Sequence, residues 1–261
     1  MTAPLTACII TFNEADRIAA CLQSLAFCDD ILVVDSGSTD DTVYIAESLG
    51  AKVIYRKFDG YRSQKQFAVE NASSNWVICL DADEIISPQL SNSIEAVKAQ
   101  NFGSATGYLF ACCTNYHGRY LRHGNAYPSR VLRLFDRRYA GWHGSREIHE
   151  HVVNRGLTMT LPGDLFHFSY RSFDHELSKL HSYARKMAQH RFDIGKKPSL
   201  TKMLISPTWI FLRGFLLRLG FLDGWRSFIY HINNSVYAFH KELFLRDLYE
   251  LHNRQDSDHC R

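Results

Sequence analysis

The sequence has little net charge of either sign. Thirty Lys and Arg against 27 Asp and Glu leave +3 over 261 residues, too small an excess to argue for a nucleic-acid partner. The basic residues that are present gather toward the C-terminal half. CxxC and zinc-ligand spacings are absent. The seven cysteines are an odd number, and Cys8, Cys79, Cys112 and Cys113 lie inside apolar runs, so reduced, buried thiols are expected instead of a disulfide framework. The opening "MTAPLTACIITF" has no basic n-region and leads straight into a strand, so no secretory leader is expected. No repeat of fixed period and no low-complexity segment is found. What remains is an ordinary globular balance, 46% hydrophobic and 22% charged, sufficient for one large domain or a domain with an appendage.

The first hundred residues alternate between strand and helix signals. "LTACIITF", "ILVVD", "AKVIYR" and "WVICL" read as strands. Between them, "EADRIAACLQSL", "DDTVYIAESLG" and "YRSQKQFAVENA" read as helices, the second capped by Asp40 and stopped by Gly50. Such alternation predicts right-handed crossovers and a parallel sheet with helices on both faces. From Thr106 to His167 the pattern changes to "TGYLFACCTNY", "SRVLRLFD", "REIHEHVV" and "DLFHFSY", strands that extend the sheet, partly antiparallel. "SFDHELSKLHSYARKMAQHRF" then predicts an amphipathic helix with Ser172 as N-cap and Leu177, Leu180, Ala184 and Met187 facing inward.

Within "NWVICLDADE" a continuously apolar strand runs into Asp81, Asp83 and Glu84. Carboxylates this close repel unless a cation, a donor or water separates them. One reading is a helix N-terminus, since "SPQL" from Ser87 begins a helix; the other is a divalent-metal site. Ligands of such sheets bind beyond the carboxyl ends of the strands. Three polar clusters lie at three such ends, Thr11 to Glu14, Asp35 to Ser38 and Asp81 to Asp83. Three on one edge describe a pocket, which favours the metal reading.

The set "IITFNE", "VVDSGSTDDT", "LDADE" and "REIHE", in this order and joined by "GFLDG" near the C-terminus, resembles the family 2 glycosyltransferases. The likeness covers nearly the whole chain and is greatest to the bacterial branch that adds a glucose to the lipopolysaccharide inner core. It implies an α/β fold of the GT-A type, a mostly parallel Rossmann-like sheet with an antiparallel extension and C-terminal helices. It implies a catalytic domain over residues 1–170, with a nucleotide-binding half to residue 100 and an acceptor half from 101, followed by a helical region over 171–261. Thr11, Phe12 and Glu14 would hold the nucleoside, and Asp35 would accept the uracil N–H or else simply begin its turn. Asp83 would ligate Mg²⁺ or Mn²⁺, while Asp81 would reach the ribose or a metal-bound water. His167 would be a further metal ligand or a core histidine. Arg62 and Lys65 would approach the diphosphate or lie on a solvated helix face. Arg130 and Arg133 would grip the donor diphosphate or a phosphorylated acceptor.

Inverting transfer needs a carboxylate to take the acceptor's proton. The family's "HE" element matches His149-Glu150, which makes Glu150 the expected base and Glu147 its rival, although strand alternation puts the two on opposite faces. The expected reaction moves glucose from a UDP-sugar to a lipopolysaccharide core heptose. Alternatives are a polyprenyl-phosphate glycosyltransferase and a non-catalytic sugar-nucleotide sensor. A nucleotidyltransferase is disfavoured because no Gly-rich phosphate loop follows the first strand.

Met203 to Leu222 is apolar, but Arg213 and Arg218 stand in its middle, Pro207 and two glycines interrupt it, and each central Arg costs about 2.5–3.5 kcal/mol to insert. Two placements remain. In one it is an interfacial helix with Trp209, Phe211, Leu212, Phe215 and Leu216 embedded; in the other it is a helix packed on the catalytic domain. Either suits a peripheral enzyme with a lipid-linked saccharide acceptor at the cytoplasmic face of the inner membrane.

Overall fold

The computed structural model describes residues 2–144 and 150–259. The first unit, residues 1–113 and 129–168, opens with the expected alternation. β1 (Leu5–Thr11), α1 (Ile18–Gln23), β2 (Asp30–Asp35), α2 (Thr42–Ser48), β3 (Lys52–Tyr55), α3 (Tyr61–Glu70) and β4 (Trp76–Asp81) follow in order. β3, β2, β1 and β4 pair in parallel in that spatial order. β1 lies between two partners and buries all seven of its residues, as its unbroken apolar run requires. The N-cap position of α2 falls to Asp41, not to Asp40 as expected, and Asp41 makes no side-chain cap; Asp40 Oδ1 accepts the N–H of Thr42 from one residue further back, and Gly50, at φ +83°, ends that helix in the left-handed turn glycine favours.

The second half of the sheet is built from β5 (Glu84–Ile86), β6 (Gly107–Tyr116), β8 (Ser129–Asp136) and β11 (Thr158–His167). The spatial order continues β4-β8-β6-β11-β5, with β8 antiparallel to both β4 and β6, and β5 antiparallel to β11. α4 (Pro88–Ala99) is started by Ser87, whose hydroxyl accepts the N–H of Leu90, and by Pro88 in its first turn. β9 (Ala140–His143) and β10 (His151–Asn154) make a separate antiparallel pair. Of the strand expected over "REIHEHVV", residues 146–149 lie outside the described ones.

The order of the strands carries a geometric consequence. β4 ends at Asp81 and β5 begins at Glu84, and three residues span about 10 Å at most. Yet β8, β6 and β11 stand between those two strands in the sheet. The sheet must therefore curl until its far edge returns to β4. That curl brings the ends of β4, β5, β6, β8 and β11 to one place.

The second unit takes residues 114–128 and 169–261. It holds β7 (Arg119–Tyr120), α5 (Phe173–Asp193), α6 (Leu200–Phe211), a π-helical stretch over Leu212–Leu217, a 3₁₀ turn over Gly220–Asp223 and the long α7 (Trp225–His259). Ser172 caps α5 as expected, accepting the N–H of His175. The buried face of α5 departs from the expected one at its first turn: Ala184 is buried and Leu180 and Met187 half-buried as expected, but Leu177 is 53% exposed and Glu176 is buried in its place. The face turns because Glu176, in a helix otherwise read as apolar inside, is taken into a buried polar cluster. Its carboxylate accepts the Tyr116 hydroxyl (2.8 and 2.9 Å) and the Asn233 amide (2.8 Å).

Candidate active site

Around the seam of the curled sheet each strand end contributes one polar side chain. Lys65, from α3, is buried and sets its ammonium 3.0 and 3.1 Å from the two carboxylate oxygens of Asp81 at the end of β4. The same ammonium lies 3.6 Å from Glu150 Oε1 and 4.8 Å over the ring of Trp142 in β9. Arg133, from β8, donates to Glu84 Oε1 (2.7 Å) and to Asp81 Oδ2 (3.4 Å), with its guanidinium 5.6 Å from the same ring. Glu84 Oε2 accepts the backbone N–H of Asp81 (2.9 Å). His167, which ends β11, holds its Nε2 3.4 Å from Asp83 Oδ2, and Arg17 Nη1 lies 3.9 Å from that oxygen.

The repulsion implicit in three neighbouring acids is thus relieved by two buried cations and a histidine. Burial alone would push the Asp81 carboxyl up, but Lys65 and Arg133 outweigh it and hold the group well below the usual carboxylate range. Burial likewise pulls His167 down, and hydrogen bonds to Asp83 and Cys112 with the charges of Asp83 and Glu84 overcome it, leaving the imidazole well above its ordinary value.

Thr11 is buried at the end of β1, in register with Asp35 of β2. Phe12 stands 55% exposed beyond it, and the Glu14 N–H is bonded to Thr42 Oγ1. Asp35 makes the hydrogen bonds of its turn. Its Oδ2 accepts the N–H groups of Gly37 (2.7 Å) and Ser38 (2.9 Å), and its Oδ1 accepts the Ser38 hydroxyl. Lys65 is not on a solvated helix face; it is buried against Asp81. Arg133 is held between two carboxylates, whereas Arg130 lies exposed at the start of β8. Glu147 falls outside the described residues. Arg17, Glu84, Cys112 and Trp142 belong to the cluster without having been assigned a role from sequence. For Glu84 the signal was its place in "DADE"; for the other three, only three-dimensional neighbours reveal it.

Buried polar atoms without a hydrogen-bond partner are few in folded proteins and mark places that await one. In the first unit such atoms include Thr11 Oγ1, Arg62 Nε, Gln64 Oε1, Arg133 Nε and Trp142 Nε1. They lie on β1, α3, β8 and β9. Two guanidinium N–H groups without acceptors suit an oxyanion such as a diphosphate. The Asp83 carboxylate and the His167 imidazole, with the Asp81 carboxylate held by Lys65, are donors suited to a divalent cation. The 3.4 Å between Asp83 Oδ2 and His167 Nε2 is close to the roughly 3 Å edge of a coordination shell with bonds near 2.1–2.2 Å.

The chain matches glycosyl transferase family 2 over residues 6–158. It is 33% identical to an uncharacterised glycosyltransferase of Rickettsia typhi, over 93% of this chain and 86% of that one. The chain belongs to glycosyl transferase family 2. It is also 31% identical, over 90% of this chain and 89% of the other, to the lipopolysaccharide core biosynthesis glycosyltransferase LpsC of Rhizobium meliloti. Among solved structures it is similar to the mannosyltransferase PcManGT of Pyrobaculum calidifontis, solved with GDP-Man and Mn²⁺. The TM-score is 0.57 at 15% identity, over 94% of this chain and 87% of that one, a likeness of fold. The glycosyltransferase is thus of the GT-A type, its sheet parallel over β3-β2-β1-β4 and antiparallel where β8 joins β4 and β6 and where β5 joins β11.

Proposed function

We propose that this glycosyltransferase is an inverting, metal-dependent enzyme that moves a sugar, expected to be glucose, from a UDP-sugar to a heptose of the lipopolysaccharide core. The observation that carries the reading is the buried polar atoms without hydrogen-bond partners on Thr11, Arg62 and Arg133, three residues expected to bind a nucleotide-sugar. The LpsC relative supports the lipopolysaccharide core as the acceptor class.

In this reading Thr11, Phe12, Glu14 and Asp35 border the nucleoside, and Arg62 and Arg133 donate to the diphosphate. Asp83 and His167, with Asp81 beside them, hold Mg²⁺ or Mn²⁺, which when bound neutralises charge on the departing UDP. Glu150 removes the proton from the acceptor hydroxyl as that oxygen bonds to the anomeric carbon and the bond from that carbon to the diphosphate breaks. Lys65, 3.6 Å from Glu150 and 3.0 Å from Asp81, fixes both carboxylates and prevents them from repelling each other.

Access to a lipid-linked acceptor is assigned to α6 and the π-helical stretch after it. Leu200–Leu217 is the one stretch among the described residues long and apolar enough to cross a membrane, and only 6% of it is buried. Trp209, Leu212 and Leu216 are exposed with Arg213 and Arg218, as an interfacial helix with snorkelling cations requires. Phe211 and Phe215 depart from the expected embedded set: their rings stack at 5.3 Å and pack on Phe228. The proposed location is the cytoplasmic face of the inner membrane, with peripheral attachment.

The test is UDP release from a panel of UDP-sugars with heptose-containing lipid acceptors, the product's linkage read by NMR. Transfer to heptose with inversion is expected. Transfer only to polyprenyl phosphate, or binding of UDP-sugar without UDP release, would overturn it.

A further inference from the structure

We propose that Glu84, Cys112 and His167 form a sulfur-containing site for a thiophilic divalent cation of the Zn²⁺ or Co²⁺ class, sharing His167 with the hard-cation position at Asp83. The three side chains come from β5, β6 and β11, the strands that the curl of the sheet brings together. One donor atom from each lies within 4.8 Å of the others. Glu84 and Cys112 are buried, and His167 is half-buried.

A carboxylate oxygen, a thiolate and an imidazole are a donor set suited to Zn²⁺, with bonds of about 2.0–2.3 Å and donor-to-donor edges of about 3.3–3.8 Å. The existing separations need to close by only about 1 Å to reach that range. Glu84 is not used up by its present partners. Oε1 accepts from Arg133 and Oε2 from the Asp81 N–H, whereas an ionised carboxylate offers about four acceptor positions. Three protein donors leave a fourth position for water, the count of an open zinc site. Hard Mg²⁺ gains little from sulfur, so the thiol selects against it and for softer ions. On ligation the Cys112 S–H bond is broken, sulfur keeps the electron pair as thiolate, and the proton leaves to solvent.

Because both positions use His167, occupation by a thiophilic ion removes a ligand from the hard-cation position. Thiophilic ions therefore inhibit transfer in competition with Mg²⁺ or Mn²⁺. This inhibition rests on the proposed function; the binding itself does not.

The experiment is a Co²⁺ titration of the metal-free full-length protein, read by absorption. A thiolate-to-cobalt charge-transfer band that saturates at one equivalent is expected, with release of protons. Cys112→Ser should abolish the band and weaken Zn²⁺ by more than the 10–100-fold typical of losing an outer-shell partner. Asp83→Ala should keep the band while losing Mn²⁺ binding. Circular dichroism verifies that each variant is folded, and Cys112→Ala serves where Cys112→Ser does not fold. Absence of the band, or the same band without Cys112, overturns the inference. Mn²⁺ binding that survives Asp83→Ala counts instead against the proposed function, so the two failures are distinguishable.

Discussion

Lys65→Met removes the charge that sits between Asp81 and Glu150 while keeping most of the side chain's bulk. At 3.0 Å two unit charges attract by about 5 kcal/mol at an effective dielectric constant near 20. Desolvation of both groups offsets much of that in the intact pair. Removing one member leaves the other buried and costs about 3–5 kcal/mol. The lower figure is expected here, because the Asp81 side chain is 27% exposed and Arg133 remains 3.4 Å away. About 3 kcal/mol corresponds to a fall in Tm of roughly 6–12 °C for a chain of this size. The pH dependence follows from Asp81 being held below the usual carboxylate range. Its contribution is present above the ordinary Asp value of about 3.9 and is lost as pH falls toward the depressed folded value. In the variant the carboxyl titrates higher, so protonation relieves the penalty sooner. Urea unfolding of both proteins from pH 7 to pH 4 should show the full difference at neutrality and a narrowing gap below about pH 5. A gap that stays constant across that range would refute the argument that Lys65 acts through Asp81.

Glu150→Gln is expected to lower kcat by about 10²–10⁴-fold with UDP-sugar affinity kept; wild-type turnover here and the same loss in Glu147→Gln would transfer the role of base. Asp83→Ala should eliminate Mn²⁺ binding in calorimetry, and unchanged affinity would remove Asp83 from the metal position. Gly214→Ala should destabilise the second unit, because the new Cβ would stand 2.2 Å from His231 Cδ2 and 2.5 Å from the Asn125 amide nitrogen; an unaltered melting curve would contradict so close an approach. Arg213→Glu with Arg218→Glu should weaken binding to anionic vesicles by at least about 30-fold, from roughly 1 kcal/mol per lost cation. Protein that never sediments with vesicles, or that resists carbonate extraction from membranes, would contradict peripheral attachment.

The parallel half of the sheet was legible because its signals are local. Apolar runs bounded by Asp40, Gly50 and Ser87 specify strands and helix ends within a few residues, and those elements formed as read. The acid-rich strand ends were legible for the same reason. The identity of their counter-charges was not: Lys65 and Arg133 reach Asp81 from 16 and 52 residues away, and no periodicity encodes such a contact. Leu177 misled because its apolar character fits the helical stripe, while the buried Glu176 beside it is explained by Tyr116, His117 and Asn233. The pairing of "GFLDG" with residues 122 and 123 was equally hidden. Asp223 Oδ2 accepts both of their backbone N–H groups at 2.8 Å, contacts made across about a hundred residues.

The curl of the sheet makes its polar seam serve as a clasp. Glu84, Arg133 and Asp81 join the returning edge to the middle of the sheet, so the groups nearest the chemistry also close the architecture. Diversification of such a protein is channelled accordingly. A new donor or acceptor preference cannot readily arise by exchanging clasp residues, since each exchange opens the sheet before it reshapes the pocket. Phe12 is free of that duty, being 55% exposed at the mouth of β1. Variant libraries directed at Phe12 and at the turn from Ser38 to Asp41 should therefore yield folded proteins with altered nucleotide preference far more often than libraries of equal size directed at the clasp.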